Sequence, residues 1–192
     1  MASIGDEHMT TGTRRPNARD KILDAAATIV AEQGVQQLTI EAAAGAAGVT
    51  KAGLIYHFKT RDDLLASLVE RMARELEIQS SGRSPEEAHG STKSLIGSIE
   101  KHTFDMPATQ KRLLSNMLEA IITNPQLVLS VQPQYERCYS ELERASDPGR
   151  ALVLLAAIDG VLLLELLNLY KFSPTQRELL RSTLANLARD LD

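Results

Sequence analysis

Apolar positions recur along this chain at intervals of three and four residues, and nowhere do they alternate over a useful length. The pattern predicts helices and no strands. Asn17, three residues before Asp20, opens a first helix that carries Ile22, Leu23, Ala26, Ile29 and Val30 on one face, and Gly34 ends it. Thr39 caps a short helix from Ile40 to Ala47, Gly48 supplies a left-handed turn position, and Thr50 caps a second short helix from Lys51 to His57. Thr60 starts another with Asp63 at capping-box spacing, continued by Leu64, Leu65, Leu68, Met72 and Leu76 until Ser80-Ser81-Gly82 breaks it.

Further on, Ser84-Pro85-Glu86-Glu87, Asp147-Pro148 and Ser173-Pro174-Thr175-Gln176 each write a cap followed by proline at the first helical position. Pro107, Pro125 and Pro133 divide the middle into a helix over 108–123 and another over 126–145 with an irregularity near Pro133. Two last helices fall at 149–170 and 174–190. The expected fold is therefore all-α, with about nine helices and neither an internal repeat nor a low-complexity tract. Residues 1–14 lack a periodic apolar pattern and read as a disordered tail. The remainder divides into an N-terminal three-helix unit with a helix-turn-helix, 15–62, and a larger helical unit, 63–192.

Composition agrees: aromatic residues make up only 4% of the 192 positions, and a chain of this length can bury a sizeable core. Charge is divided unevenly. From Arg14 to Arg61 there are seven basic residues (Arg14, Arg15, Arg19, Lys21, Lys51, Lys59, Arg61) and four acidic ones (Asp20, Asp24, Glu32, Glu41), a balance of +3 in a chain of net charge −4, so the rest is −7. A basic N-terminal piece on an acidic body suggests a local face for a polyanion.

Two-helix corners also occur in enzyme bundles, so the spacing of Leu38 to Leu65 alone leaves open a DNA reader or a plain structural corner. The outward chemistry favours the reader. Ala52 and Gly53 leave the start of the second short helix thin enough to approach a groove. Thr39, Thr50, Lys51, Tyr56, His57, Lys59 and Arg61 bring the hydroxyls, ring and cationic heads that bond phosphate oxygens, and a helix start adds partial positive charge.

Gly48-Val49-Thr50-Lys51, Leu54-Ile55-Tyr56-His57-Phe58-Lys59 and Arg61-Asp62-Asp63-Leu64-Leu65, together with Ile22-Leu23-Asp24-Ala25-Ala26 and Gly34-Val35 upstream, resemble the TetR family of transcriptional regulators. The resemblance covers about Asn17 to Leu68; the rest resembles the family only in being helical and of the right length. Gly53 stands where a Thr is common and Ile55 where a Tyr is common, which shifts the expected binding onto Lys51, Tyr56 and His57. The GLIYHF stretch is similar to a subgroup with multidrug-responsive repressors. The resemblance implies a homodimer that binds the double-stranded DNA of a palindromic operator and leaves it when a small apolar or cationic effector binds in the helical body, and the single cysteine, Cys138, with no signal-peptide pattern makes a reducing cytoplasm the expected home.

Residues 149–170 are apolar nearly all round, and 174–190 carry a stripe of Leu179, Leu180, Leu184, Leu187 and Leu191. Such a helix must be covered on all sides, either within one chain or by a four-helix contact between two copies, the arrangement the resemblance supports. The run Ala151 to Leu169 contains Asp159, Glu165 and Asn168, each costly at bilayer depth, so a membrane span is the poorer reading. For an effector the candidate residues are Phe104, Met117, Ile121, Tyr135, Tyr139, Asp159 and Glu165. Carboxylates in an apolar helix need either a partner such as Arg150 or Lys171, or a role in recognising a cationic ligand.

No catalytic residue, metal site or cofactor is expected. His8, His57, His89 and His102 lie in unrelated places, the His102/Asp105 pair supplies too few ligands, and Cys138 has no second cysteine to pair with and no nearby histidine. The glycines at 45, 48 and 53 belong to the helix corner, not to a phosphate-cradling loop. Two other classes stay open: an all-α enzyme or carrier that shares only the corner, and a DNA-binding regulator controlled by a protein partner.

Overall fold

The computed structural model of this chain describes residues 17–81 and 91–191. Among them are nine α-helices, two 3-10 segments and no strand. The tail over 1–14 and the Ser84-Pro85 helix start lie outside the described residues.

Local signals set the first four helices. The Asn17 side chain accepts the Asp20 N–H at 2.8 Å and caps α1, Ala18–Gln33, whose Ile22, Leu23, Ala26, Ile29 and Val30 are all buried. Gly34 leaves the helix at φ 88°, a conformation costly for any side chain, and a 3-10 turn, Val35–Gln37, follows. Thr39 caps α2, Ile40–Ala47, and Gly48 at φ 66° reverses the chain, with the Val49 N–H bonded back to the Ala44 carbonyl. Thr50 caps α3, Lys51–His57. The expected Thr60/Asp63 box is formed in both directions, at 3.0 and 3.1 Å, at the start of α4, Arg61–Ser81.

The other helices are α5, Thr92–Phe104; α6, Ala108–Thr123; α7, Gln132–Leu142; α8, Pro148–Leu166; and α9, Pro174–Leu187. The single helix expected over 126–145 is instead a 3-10 segment, Pro125–Ser130, followed by α7. Each proline lacks an N–H that a first helical turn does not need, so each opens an element where an interior position would lose a bond. At the other end α8 stops at Leu166 and not near 170, because Asn168 turns left-handed at φ 52° and the Leu169 and Tyr170 N–H groups fold back onto the Leu164 carbonyl.

Two apolar clusters hold the helices together. The first joins α1 to α4 with Met117, Ala120 and Leu127, so α6 belongs to the same core as the N-terminal helices. The second gathers Ile96, Leu142, Leu154, Leu155, Ile158, Leu184 and Leu191 from α5, α7, α8, α9 and the residues after it. Between them α6 is fastened on both sides: Asn116 donates to the Val30 carbonyl at the end of α1, and Ser115 to the Leu166 carbonyl at the end of α8, both at 2.7 Å.

Candidate functional site

Helix α3 is held from below by two residues, Leu54 at 0% and Phe58 at 2% exposure, with the Arg19 guanidinium 5.2 Å above the Phe58 ring. Nearly everything else on it faces out. Lys51, Ala52, Ile55 and Tyr56 are exposed, Tyr56 at 86%, as are Thr50 before the helix and Lys59 after it, while His57 is half-buried with its ring edge-on to Tyr56 at 5.2 Å. An 86% exposed tyrosine contributes almost nothing to a core, which makes it available to a partner surface.

The two capping threonines combine structural and contact chemistry. Thr39 Oγ1 accepts the Ala42 N–H, and Thr50 Oγ1 accepts the Gly53 N–H, each at 3.0 Å. Accepting leaves each hydroxyl proton available for an outside oxygen. A methyl at Gly53 would stand 3.2 Å from Thr50 Oγ1, so the missing side chain also protects the α3 cap. Lys51 pairs with Glu41 of α2 at 2.5 Å, with both side chains more than half exposed.

Arg61 departs from the expected phosphate role. Its Nε donates to the Leu38 carbonyl at 2.6 Å and its Nη2 to the Val35 carbonyl at 2.7 Å, while Nη1 lies 3.6 Å from Asp62. The guanidinium closes the turn between α1 and α2, leaving it little capacity for a phosphate.

The expected effector residues separate into three places. Met117 is buried and Ile121 partly buried in the first cluster. Phe104 lies under Arg177 and Arg181, whose guanidinium carbons stand 5.1 and 6.0 Å from its ring centre. Glu165 accepts from Lys111 at 2.5 Å and from Arg177, which also donates to the Phe104 carbonyl. Burial alone would push its carboxyl up, but those hydrogen bonds outweigh it and hold the group below its ordinary value. Its partners are thus Lys111 and Arg177, not Arg150 or Lys171, and Arg150 pairs with Asp147 of its own cap at 3.3 Å.

Tyr135, Tyr139 and Asp159 do come together. Cys138, partly buried on the same helix, adds a polarizable edge. The Tyr139 hydroxyl donates to Asp159 Oδ2 at 3.0 Å across the contact of α7 with α8. Burial raises the Asp159 carboxyl above its ordinary value against the pull of that hydrogen bond, and burial together with Asp159 pushes the Tyr139 hydroxyl up to about 12. Among the ion pairs formed by the described residues none involves Asp159. Tyr135, one turn away and 54% exposed, has its hydroxyl pushed up to about 12 by burial and then by the charge of the same carboxylate.

His102 and Asp105 do not meet: Asp105 takes both Arg181 nitrogens at 2.7 and 2.9 Å, and His102 lies 3.5 Å from Gln110. The described residues contain no group of three or more His, Cys, Asp or Glu side chains placed to hold a metal, and no helix long and apolar enough to cross a membrane.

Two family models match the chain: one described as bacterial regulatory proteins, tetR family, over residues 22–68, and one described as tetracyclin repressor-like, C-terminal domain, over residues 98–189. The HTH-type transcriptional regulator AcrR of Shigella flexneri is 32% identical over 97 residues, 49% of this chain but only 43% of that relative's length. Among solved structures, a regulator of Streptomyces coelicolor A3(2) superposes with a TM-score of 0.71 at 21% identity, covering 91% of this chain and 99% of its own. The multidrug binding protein EbrR complexed with ethidium superposes at 0.66 with 25% identity, covering 89% and 98% respectively.

Proposed function

This chain belongs to the TetR family of bacterial transcriptional regulators, DNA-binding proteins and not enzymes, and from that premise we propose that it is a homodimeric, effector-released repressor of a palindromic operator. The observation that carries the DNA reading is the outward face of α3. Lys51, Tyr56 and Lys59 stand free of the core beside the side-chain-poor Ala52 and Gly53, with the hydroxyls of Thr39 and Thr50 alongside. In two copies related by a twofold axis these faces enter successive major grooves, and phosphate contacts set their register. Within each copy the working division is a DNA-binding unit over 15–62 and an effector and dimerisation unit over 63–192, with the protein acting in the cytoplasm.

The exposed sides of α8 and α9 support the dimer. Leu152, Val153, Leu163 and Leu164 of α8, Leu167 just beyond it, and Leu179 and Leu187 of α9 all stay exposed in one copy, with the small residues Ala156, Ala157 and Gly160 between them. An apolar stripe two helices wide is the surface that a second copy covers.

For the effector, Tyr135, Tyr139 and Asp159 offer two aromatic rings and a carboxylate lacking a cationic partner, which suits a flat or bulky organic cation. The likeness to EbrR, solved with ethidium, points the same way. Phe104, Met117, Ile121 and Glu165 are engaged in core packing or ion pairs and drop out of the proposed site.

The decisive experiment for the DNA reading is titration of duplex DNA at several salt concentrations. Affinity falls steeply with salt, and Lys59→Ala weakens binding to all sequences alike while lowering the slope by about one unit. A slope unchanged by the substitution removes Lys59 from the phosphate contacts, and affinity indifferent to salt removes the DNA reading altogether.

A further inference from the structure

Lys51 does not face outward alone. Its ammonium lies 2.5 Å from the Glu41 carboxylate on α2, and the two side chains are 60% and 65% exposed. The hydrogen bond from Lys51, then a backbone hydrogen bond and the Lys51 charge, hold that carboxyl below its ordinary value. An exposed pair of this kind contributes little to stability. Its position is the informative part: wherever Lys51 goes on DNA, Glu41 goes with it.

Against the phosphate backbone a carboxylate at that place is a liability, because every phosphate oxygen repels it. Against base edges it is an asset. The only hydrogen-bond donors on the floor of the major groove are the amino groups of cytosine and adenine, and a carboxylate is matched to cytosine N4. The neighbouring ammonium needs acceptors. Guanine presents two, O6 and N7, and O6 sits beside the cytosine amino group of the same base pair. An A·T pair offers an amino group as well, but there the carboxylate's neighbour on the thymine side is a methyl group beyond O4, which gives an ammonium less to hold.

We propose that Glu41 and Lys51 together read one C·G base pair in each operator half-site, Glu41 accepting from cytosine N4 and Lys51 donating to guanine O6 and N7. The proposal rests on the DNA-binding reading above and adds a residue on α2 to the recognition surface of α3. In the free protein the two heads satisfy one another. On the cognate pair each exchanges that partner for a base edge, so neither charge is left unmatched. With the pair reversed the carboxylate meets guanine's acceptors, and on A·T it can accept from adenine N6 but leaves the ammonium a single adjacent acceptor, thymine O4; discrimination results from those mismatches and not from added affinity.

Selection of bound sequences from a randomised duplex pool, by wild type, Glu41→Gln and Lys51→Met, tests it. Both side chains are exposed and outside the core, so the variants fold, which a thermal melt verifies. Wild type selects a palindrome with a C·G pair at one symmetric position. Each variant loses roughly ten-fold or more of the preference at that position and leaves the other positions as they were. Glu41→Gln, whose amide can bond adenine N6 and N7 together, shifts the same position toward A·T. A Glu41→Gln protein that selects the wild-type sequence and merely binds every duplex more tightly overturns the proposal, as does a wild-type palindrome without such a pair. If wild type selects no sequence at all, the DNA-binding reading fails and this proposal fails with it.

Discussion

At the scale of single residues, the side chains with contact chemistry divide according to what already holds them. Arg61 resembles a phosphate contact in the sequence, yet its guanidinium spans the Leu38 and Val35 carbonyls at 2.6 and 2.7 Å. Hydrogen bonds to a charged donor are each worth about 1.5–3 kcal/mol, and the carbonyls left behind would lose a partner. Arg61→Ala therefore lowers the melting temperature by several degrees, on the scale of roughly 2–4 °C per kcal/mol for a chain of this size. A variant that melts like wild type while losing DNA affinity would return Arg61 to the phosphate contacts. Asp159 presents the opposite situation, a carboxyl that burial raises above its unfolded value. Its charged form is disfavoured in the fold, so stability declines as pH rises from the unfolded value through the folded one, and the loss is complete above it. Asp159→Asn keeps an acceptor for Tyr139 without the charge. The variant melts higher than wild type near pH 7, and the difference closes below the ordinary aspartate range. Equal melting curves across that range would mean that the carboxylate is well solvated.

Among the elements, α8 and α9 show how an apolar helix divides its faces. On α9 the leucine stripe expected as one interface splits: Leu184 is 6% exposed and packs with Leu191 in the chain's own core, while Leu179 is 66% exposed and Leu187 47%. A charge at Leu184 therefore strands an ion in the monomer's interior and unfolds it, and says nothing about assembly. Leu179→Glu and Leu187→Glu are the informative substitutions. Each leaves the helical circular dichroism intact, and sedimentation shows a shift from dimer toward monomer at micromolar concentration. Dimers of wild-type mass in both variants would place the interface elsewhere. Helix α9 is also clamped to α5 and α8 through Arg177 and Arg181, which reach Glu165, the Phe104 carbonyl, Glu100 and Asp105. The two helices therefore offer one preformed surface to the second copy proposed above.

For the whole molecule, the question is how the proposed effector near α7 and α8 reaches α1 to α3. Helix α6 provides the connection, because adjacent residues on it hold the ends of two distant helices: Ser115 the end of α8, Asn116 the end of α1. Lys111, one turn earlier, adds the ion pair to Glu165 of α8. In the proposed regulation, an effector that shifts α8 displaces α6 through these contacts and with it the N-terminal core that α6 shares. The test uses tetraphenylphosphonium, an organic cation that is not a flat intercalator, with operator affinity measured in its presence and absence. Coupling between sites commonly amounts to 5- to 150-fold in affinity. Asn116→Ala brings that ratio toward one while the cation still raises the melting temperature. If the ratio is unchanged, coupling runs through α4 instead.

What could be read from the sequence is what neighbours in the chain decide. Asn17, Thr39, Thr50, Thr60, Asp147 and Ser173 each bond a backbone N–H three residues on, a contact set by local geometry, and the helix starts follow. The buried face of α1 follows from periodicity, and the outward chemistry of α3 follows because Leu54 and Phe58 alone turn inward. The tertiary structure decided everything that joins residues distant in the chain. Glu165 is 54 positions from Lys111 and Asp105 is 76 from Arg181, and helical spacing says nothing about a partner on another helix. For the same reason α6 could not be placed in the N-terminal core, nor Leu184 separated from Leu179. Periodicity reports that a face is apolar, and only packing determines whether the chain itself covers it.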